Sequence, residues 1–305
     1  MITRADVEAA ARRIAPHVRT TPVLDLAVGE AGPSAAVLKL ECLQHTGSFK
    51  ARGAFNRLMQ LGESRGVVAA SGGNHGAAVA YAAAKLGAPA EVFVPHFAPA
   101  AKIARIEGFG AKVMIVEGDF GAVVAASVAR AEEASFAQVH AYDDPDVIAG
   151  QGAASLEFAA QATFDTLLVA VGGGGLAGGA VAAIGERARI VAVETEGTAS
   201  YCAAKQVGAP APWQARGLAA DSLGAHQIGA HGYALLAAHN AESVLVSDEQ
   251  VLAAQLWLWN RARIATEPGG AVAFAALLSG AYTPARGARV GVLVCGANTD
   301  LAWAR

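Results

Sequence analysis

Residues 46–53 read Thr-Gly-Ser-Phe-Lys-Ala-Arg-Gly, and both the fold and the chemistry are organised around the lysine of this stretch, Lys50. A lysine in water is an ammonium with a pKa near ~10.4, so a lysine that forms imines must lose part of its hydration. Ser48 is predicted to cap a helix that continues to Leu61, which places the base of Lys50 where backbone N–H groups attract anions. Taken alone, the stretch favours an ordinary solvated lysine, and only partners elsewhere in the chain reverse that interpretation.

Composition and charge exclude several classes of protein. The chain has 305 residues, of which 54% are hydrophobic and 16% are charged, as in a globular protein of one or two domains. Its net charge of −3 offers no broad basic field, so neither a nucleic acid nor a membrane surface is an expected partner. Small anionic substrates remain possible at local sites.

The cysteines and the N-terminal residues bear on location. Three cysteines, Cys42, Cys202 and Cys295, are far apart and odd in number, which indicates a reducing compartment, and the cytoplasm is the expected location. Residues 1–6 show no apolar targeting segment. The uncharged run from Thr166 to Gly185 has the length of a membrane helix, but its four successive glycines predict a strand, a loop and a helix instead.

Short apolar segments alternate with Ala-rich helical stretches along most of the chain. One predicted strand, Ala36 to Leu40, leads to the lysine stretch. Six more follow it: Gly66 to Ala70, Ala90 to Val94, Ala111 to Val116, Thr166 to Val171, Arg189 to Val193 and Arg289 to Val294. Such alternation is typical of βαβ units, in which parallel strands are buried on both faces. The predicted fold class is therefore α/β.

The stretch Ser71-Gly72-Gly73-Asn74-His75-Gly76 follows one of these strands and opens a helix. Its backbone N–H groups, with the side chains of Ser71 and Asn74, are suited to a small anion such as a carboxylate. The alternative is a tight turn in which the glycines supply positive φ and Asn74 caps the helix. The two interpretations are about equally supported by this stretch alone.

Four glycines, Gly172, Gly173, Gly174 and Gly175, end another strand and begin another helix. Without side chains, the backbone approaches a phosphate closely, so this run is the strongest phosphate-binding signal in the chain. It also supports a rival, because Gly173, Gly175 and Gly178 satisfy the dinucleotide fingerprint and Glu194 closes the next strand. A nicotinamide oxidoreductase is the hypothesis that follows. Close packing of a helix on the sheet is the remaining alternative.

Two further polar residues follow apolar segments near the end of the chain. Cys295 comes after the last predicted strand, where ligands of open α/β sheets gather, although a buried cysteine often serves as a small hydrophobe. Glu267 precedes Pro268 and either faces the site or caps the helix that follows, and the cap is the favoured interpretation. His226, His231 and His239 are irregularly spaced, and no metal site is predicted.

Together these stretches resemble the threonine/serine dehydratase (ammonia-lyase) branch of the fold-type II pyridoxal-phosphate enzymes, which also contains serine racemase. The resemblance spans most of the chain and depends on the order of five motifs: residues 46–50, residues 71–76, Gly150-Gln151-Gly152, residues 172–175 and Cys295-Gly296-Ala297-Asn298. It implies a two-domain fold like that of the tryptophan synthase β chain. Residues 1–63 and 143–305 would form the large cofactor-binding domain, and residues 64–142 the small one.

The resemblance also implies roles for single residues around pyridoxal 5'-phosphate. Lys50 would hold the cofactor as an internal aldimine, Phe49 would pack on its ring, and Asn74 would hydrogen-bond its 3-hydroxyl. Residues 172–175 would bind its phosphate, and Cys295 would face its pyridine nitrogen. A neutral thiol does not keep that nitrogen protonated, which favours prompt β-elimination over a long-lived carbanion.

The loop from Ser71 to His75, including Gly72 and Asn74, would bind the substrate carboxylate. Gly72 is a departure from the racemase, which carries a serine there as a second acid/base group, so racemisation is disfavoured. Family members with a divalent cation use acidic groups at the positions of Glu194 and Ser200 and a carbonyl at that of Thr198. Since Ser200 is not acidic, no metal is expected.

The expected function is β-elimination on a β-hydroxy amino acid, L-threonine or L-serine, to give a 2-keto acid and ammonia. Alternatives within the same fold are a serine racemase and a hydroxyaspartate ammonia-lyase. Rivals of other classes are the nicotinamide oxidoreductase and a non-catalytic metabolite-binding protein. A homodimer would suit the family.

Overall fold

The computed structural model of the chain describes residues 1–62 and 66–300. Its ten strands in this part of the chain are β1 Val23–Leu26, β2 Ala36–Leu40, β3 Val67–Ala70, β4 Ala90–Pro95, β5 Lys112–Val116, β6 Ala137–Gln138, β7 Thr166–Ala170, β8 Arg189–Thr195, β9 Glu242–Val246 and β10 Val290–Val294. Its twelve α-helices there are α1 Arg4–Ile14, α2 Lys50–Leu58, α3 Asn74–Leu86, α4 Ala100–Gly108, α5 Phe120–Ala134, α6 Pro145–Gln161, α7 Gly175–Ile184, α8 Ser200–Val207, α9 Ala220–Leu223, α10 Ala230–Ala238, α11 Asp248–Ala262 and α12 Pro268–Leu278.

The strands form two sheets. The larger has the order β1-β2-β10-β7-β8-β9, and the smaller has the order β5-β4-β3-β6. β1 pairs with β2 in the antiparallel sense, whereas the other pairs of both sheets are parallel. The predicted α/β class is confirmed. The parallel arrangement matters for the site, because it brings the carboxyl ends of several strands to one edge of each sheet.

The predicted strands appear within one or two residues of their expected ends, and three others were not predicted. β9 is an edge strand that pairs with β8 alone among the described strands, and Leu245 in it is exposed. β1 is an edge strand too, and β6 has two residues. Short edge strands lack the continuous apolar run of a buried strand, so their sequence signal is weak.

The smaller sheet is built from residues 67–138, and the larger sheet from both remaining parts of the chain. The predicted domain boundary between residues 63 and 64 lies outside the described residues. The run from Thr166 to Gly185 forms β7, a loop and α7, as predicted. Among residues 1–62 and 66–300, no helix combines the length and apolar character that a membrane span needs.

A buried group of charges ties α2 to the large sheet. Arg52 is 1% exposed and donates two hydrogen bonds of 2.7 Å to Glu41, which is fully buried just after β2. Glu157 of α6 accepts from Arg52 at 3.1 Å and pairs with Lys39 of β2. Because Lys50 is the first residue of α2, this network also fixes the helix that carries the candidate catalytic lysine.

Candidate active site

A cleft forms where the loops after β3, β7 and β10 meet the start of α2. The residues predicted to bind a cofactor all line it: Phe49, Lys50, Asn74, Gly172, Gly173, Gly174, Gly175 and Cys295. Ser71, Gly72 and His75 are not among its lining residues. Seven residues that the sequence did not predict to bind the cofactor also line it: Tyr142, Ala170, Leu176, Ser222, Leu223, Glu267 and Gly269.

Lys50 lies inside this cleft and is partly shielded from water. Its Nζ donates to the carbonyl oxygen of Ala141 at 2.7 Å and lies 5.1 Å from the centroid of the Phe49 ring. Burial lowers the pKa of Lys50 to about 8, against the opposing influence of Cys295 and Glu267. A lysine with this pKa exists partly as the free amine near neutral pH, which is the form that attacks carbonyls.

The predicted cap of α2 is wrong. Ser48 makes no side-chain hydrogen bond to the helix, which follows Phe49 directly. Ser48 is extended, with φ −159°, and forms a β-bridge with Gly296, while the N–H of Phe49 donates to the carbonyl oxygen of Cys295 at 3.2 Å. Backbone pairing of Ser48 and Phe49 therefore attaches the lysine stretch to the end of β10.

The loop before α3 is a compact turn in which each polar side chain has a different role. The hydroxyl oxygen of Ser71 accepts from the N–H of Gly73 at 3.2 Å. Asn74 does not cap α3 but donates from Nδ2 to the carboxylate of Glu267 at 2.5 Å. His75 is buried, with Nε2 2.9 Å from the carbonyl oxygen of Val139, and burial followed by the charge of Lys50 lowers the pKa of His75 to about 3. Its imidazole is therefore neutral and faces Val139.

The glycine run lies between β7 and α7. Gly174 has φ +86°, a conformation that favours glycine. A Cβ atom on Gly173 would lie 2.0 Å from the ring of Tyr142, and one on Gly175 would lie 2.5 Å from Oε1 of Gln151. Both glycines are thus needed for packing. The run also leads into the first turn of α7, whose N–H groups have no acceptor within the helix and suit an anion.

Cys295, which follows β10, and Glu267, which precedes α12, both line the cleft. The thiol of Cys295 donates to the carbonyl oxygen of Gly269 at 3.4 Å, and burial raises the pKa of Cys295, so the thiol stays neutral. The predicted capping role of Glu267 is wrong, because it makes no side-chain bond to α12 and is 4% exposed within the cleft. Burial raises the pKa of Glu267 to about 7. An acidic residue directly before Pro268-Gly269-Gly270 was the sequence signal that could have identified it.

Two basic residues of α4 contact segments outside the smaller sheet. Arg105 donates to the carbonyl oxygen of Thr46 at 2.7 Å and to Oδ1 of Asn298 at 2.5 Å. Lys102 forms an ion pair with Asp221 of α9. Thr46 has φ +61°, so the loop before Lys50 takes a conformation uncommon for threonine. These contacts link the helices of the smaller sheet to the lysine stretch and to the large sheet.

Glu194 is committed to other partners. Its two carboxylate oxygens accept from the N–H groups of Tyr201 and Cys202, each at 2.8 Å, and Ser200 donates to it at 3.3 Å. Burial raises the pKa of Glu194 to about 7. A carboxylate engaged in this way is not directed at a ribose. Within the described part of the chain, no group of three or more His, Cys, Asp or Glu side chains is placed to hold a metal ion.

Comparison with known proteins identifies the family. The model of a family described as pyridoxal-phosphate dependent enzyme matches residues 14–296. The chain belongs to this family. It is therefore an enzyme that uses pyridoxal phosphate, and the nicotinamide oxidoreductase and the non-catalytic binding protein are excluded.

Several pyridoxal-phosphate enzymes are similar over nearly the whole chain. Phenylserine dehydratase of Ralstonia pickettii is 38% identical, over 95% of this chain and 91% of that protein. L-threonine ammonia-lyase of Thermotoga maritima is 34% identical, over 99% of this chain and 77% of that protein. The structure of maize serine racemase superposes with a TM-score of 0.93 at 31% identity, covering 98% of this chain and 94% of that one. The fold-type II architecture is thereby confirmed.

The residues of the cleft fit the cofactor of this family. Lys50 offers a partly shielded amine, and the start of α7 offers N–H groups for a phosphate. Oδ1 of Asn74 is buried and has no hydrogen-bond partner among the described residues, as expected of an atom that faces a polar ligand. The neutral thiol of Cys295 suits an unprotonated ring nitrogen.

Proposed function

We propose that this enzyme is an ammonia-lyase that eliminates the hydroxyl group of L-threonine or L-serine and releases a 2-keto acid and ammonia. The observation that carries the proposal is the pairing of Lys50, an amine with a lowered pKa, with the neutral thiol of Cys295 in one buried cleft. A basic lysine combined with a cofactor ring that accepts electrons only moderately, because its nitrogen is not protonated, favours loss of a β-leaving group. The dehydratase and ammonia-lyase among its relatives support the same reaction.

Pyridoxal phosphate, when bound, supplies an electron-accepting ring that stabilises negative charge at the substrate Cα. In the proposal, Lys50 holds the cofactor through Nζ, Phe49 packs against the ring, and residues 172–175 bind the phosphate. Asn74 would hydrogen-bond the 3-oxygen, and the neutral thiol of Cys295 would lie at the ring nitrogen without protonating it. The glycines matter at the phosphate because no side chain separates the ligand from the N–H groups of α7.

The amine of Lys50 would take the proton from Cα of the substrate. The Cβ–O bond would then break, and the hydroxyl would leave as water with the proton held by Lys50. The released enamine would tautomerise to an imine, which water hydrolyses to the 2-keto acid and ammonia. A pKa of about 8 suits Lys50 to this step, because the free amine is accessible near neutral pH and the protonated form is a competent acid. The free amine of Lys50 donates to the Ala141 carbonyl, which holds Nζ within the cleft.

The loop from Ser71 to His75 binds the substrate carboxylate in this proposal. Since the imidazole of His75 is bonded to Val139, this residue would contribute its backbone N–H at the start of α3. Gly72 provides no proton donor, which favours elimination over racemisation. A serine racemase and a hydroxyaspartate ammonia-lyase are the alternatives within the fold.

We also propose that residues 64–142 form a small domain that closes over the substrate. The contacts of Arg105 with Thr46 and of Lys102 with Asp221 support closure, since they join α4 to the lysine stretch and to α9. A homodimer and a cytoplasmic location complete the proposal. All three cysteines are free, in keeping with a reducing compartment. Light scattering during gel filtration tests the dimer.

The first test is an absorption spectrum of the purified enzyme, before and after borohydride reduction, followed by assay of keto acid and ammonia. We expect a reducible imine band in the wild type, loss of that band in Lys50→Ala, and an unchanged band in Lys112→Ala, a control at an exposed lysine of β5. Keto acid formation from L-threonine or L-serine at wild-type rate by Lys50→Ala would refute the proposal. Formation of a D-amino acid by the wild-type enzyme, without release of ammonia, would indicate a serine racemase instead.

A further inference from the structure

Glu267 is a buried carboxylate that the proposed chemistry leaves without a role. It stands before α12, at a position where a side chain commonly caps the helix, yet it makes no such bond. The carboxylate lies inside the cleft instead, 4% exposed, in the same wall as Lys50 and Cys295. A carboxylate is seldom buried without a specific partner, because its desolvation costs several kcal/mol in effective terms.

The backbone fixes where this carboxylate lies. The N–H of Glu267 donates to the carbonyl oxygen of Gly296 at 3.2 Å. A Cβ atom on Gly296 would lie 1.9 Å from Oε1 of Glu267, so the carboxylate occupies space that any other residue would fill. The absence of a side chain at residue 296 is therefore what admits Glu267 to the cleft.

The partner of Glu267 is Asn74. Nδ2 of Asn74 donates to Oε1 of Glu267 at 2.5 Å, and the two residues are 193 positions apart in the chain. The terminal torsion of an asparagine has a broad energy profile, so a single strong acceptor is enough to choose its orientation. With Nδ2 held by Glu267, Oδ1 of Asn74 is buried and has no partner within residues 1–62 and 66–300. The amide thus presents one defined polar edge to the cleft.

We propose that Glu267 is a positioning residue for the cofactor, and that its hydrogen bond orients the amide of Asn74 toward the 3-oxygen of pyridoxal phosphate. This inference rests on the part of the proposed function that places Asn74 at that oxygen. Burial raises the pKa of Glu267 to about 7, so its protonated and ionised forms are both populated near neutrality, and each keeps an oxygen that accepts from Asn74.

The test is a double-mutant cycle on cofactor affinity, which needs no turnover. Cofactor-free enzyme is titrated with pyridoxal phosphate, and the dissociation constant is measured for the wild type, Glu267→Ala, Asn74→Ala, the double variant and Glu267→Gln. Melting temperatures without cofactor show that each variant folds. Glu132→Gln, at an exposed residue of α5, is the matched control.

We expect Glu267→Ala to weaken binding about 10-fold or more, since a hydrogen bond to a charged group contributes ~1.5 kcal/mol or more. The glutamine variant keeps the acceptor and should bind like the wild type. In the cycle, the alanine effects should not add, because one residue acts through the other. Wild-type affinity in Glu267→Ala, additive effects, or a glutamine variant as weak as alanine would overturn the inference. Failure of the proposed function appears separately, as cofactor binding without keto acid formation.

Discussion

Arg52→Met is the substitution with the largest expected effect on stability. The guanidinium of Arg52 is 1% exposed and donates two hydrogen bonds of 2.7 Å to Glu41, which is fully buried. Methionine fills a similar volume but removes both hydrogen bonds from Arg52 to Glu41. Glu41 then keeps the hydrogen bond that the hydroxyl of Thr21 donates at 2.6 Å. Removing one partner of a buried ion pair costs about 3–5 kcal/mol, because the other charge stays desolvated.

Unfolding in urea, followed by circular dichroism, measures this decrease in the free energy of unfolding directly. For 305 residues, about 3–5 kcal/mol corresponds to a fall of about 5–8 °C in the melting temperature. Arg12→Met, at an exposed arginine of α1, is the matched control and should change the free energy of unfolding by about 0.5 kcal/mol or less. Adding Glu41→Gln to Arg52→Met should recover part of the loss, since no unpaired charge remains.

Two results would refute this reasoning. The first is a free energy of unfolding for Arg52→Met within about 1 kcal/mol of the wild type. The Arg52–Glu41 ion pair would then contribute no more to stability than an ion pair on the surface. A double variant no more stable than Arg52→Met would mean that the unpaired carboxylate of Glu41 is not the cause.

Three further predictions concern the site. A Cβ atom at Gly72 would lie 3.5 Å from Cβ of Ala98, so Gly72→Ser should fold and produce D-serine from L-serine, and chiral chromatography should detect none with Gly72→Ala. The pKa of His75 falls from 6.5 to about 3 on folding, so the unfolded chain binds more protons than the native state between these pH values. The free energy of unfolding should therefore fall by up to ~1.4 kcal/mol per pH unit as the pH drops below 6.5. His75→Gln should flatten that decline in urea unfolding, and an equally steep decline would contradict the burial of a neutral imidazole. Since both oxygens of Glu194 accept backbone N–H groups, Mg²⁺ or Ca²⁺ should leave the melting temperature unchanged, and reversible inactivation by a chelator would show that this carboxylate binds a cation after all.

The sequence alone was enough for the fold class and for most of the cleft. A strand buried on both faces, such as Ala36–Leu40, carries its signal in its own residues, and its bounds were predicted without error. β9 was missed because an edge strand with one partner needs fewer apolar residues. Glycine runs after strands are local signals too, because the turns that require them are only a few residues long.

The tertiary structure decided what the polar residues of the site do. Ser48 and Glu267 were both interpreted as helix caps, which is the commonest local use of such residues before a helix. Ser48 instead pairs with Gly296, and Glu267 accepts from Asn74, 193 residues away in the chain. A helix cap depends on residues three or four positions away, so it can be predicted from the local sequence. A partner across a cleft belongs to a distant segment, and only the folded structure shows which segment lies there. Sequence therefore located the candidate catalytic lysine, and only the packing of distant segments determined which groups surround it.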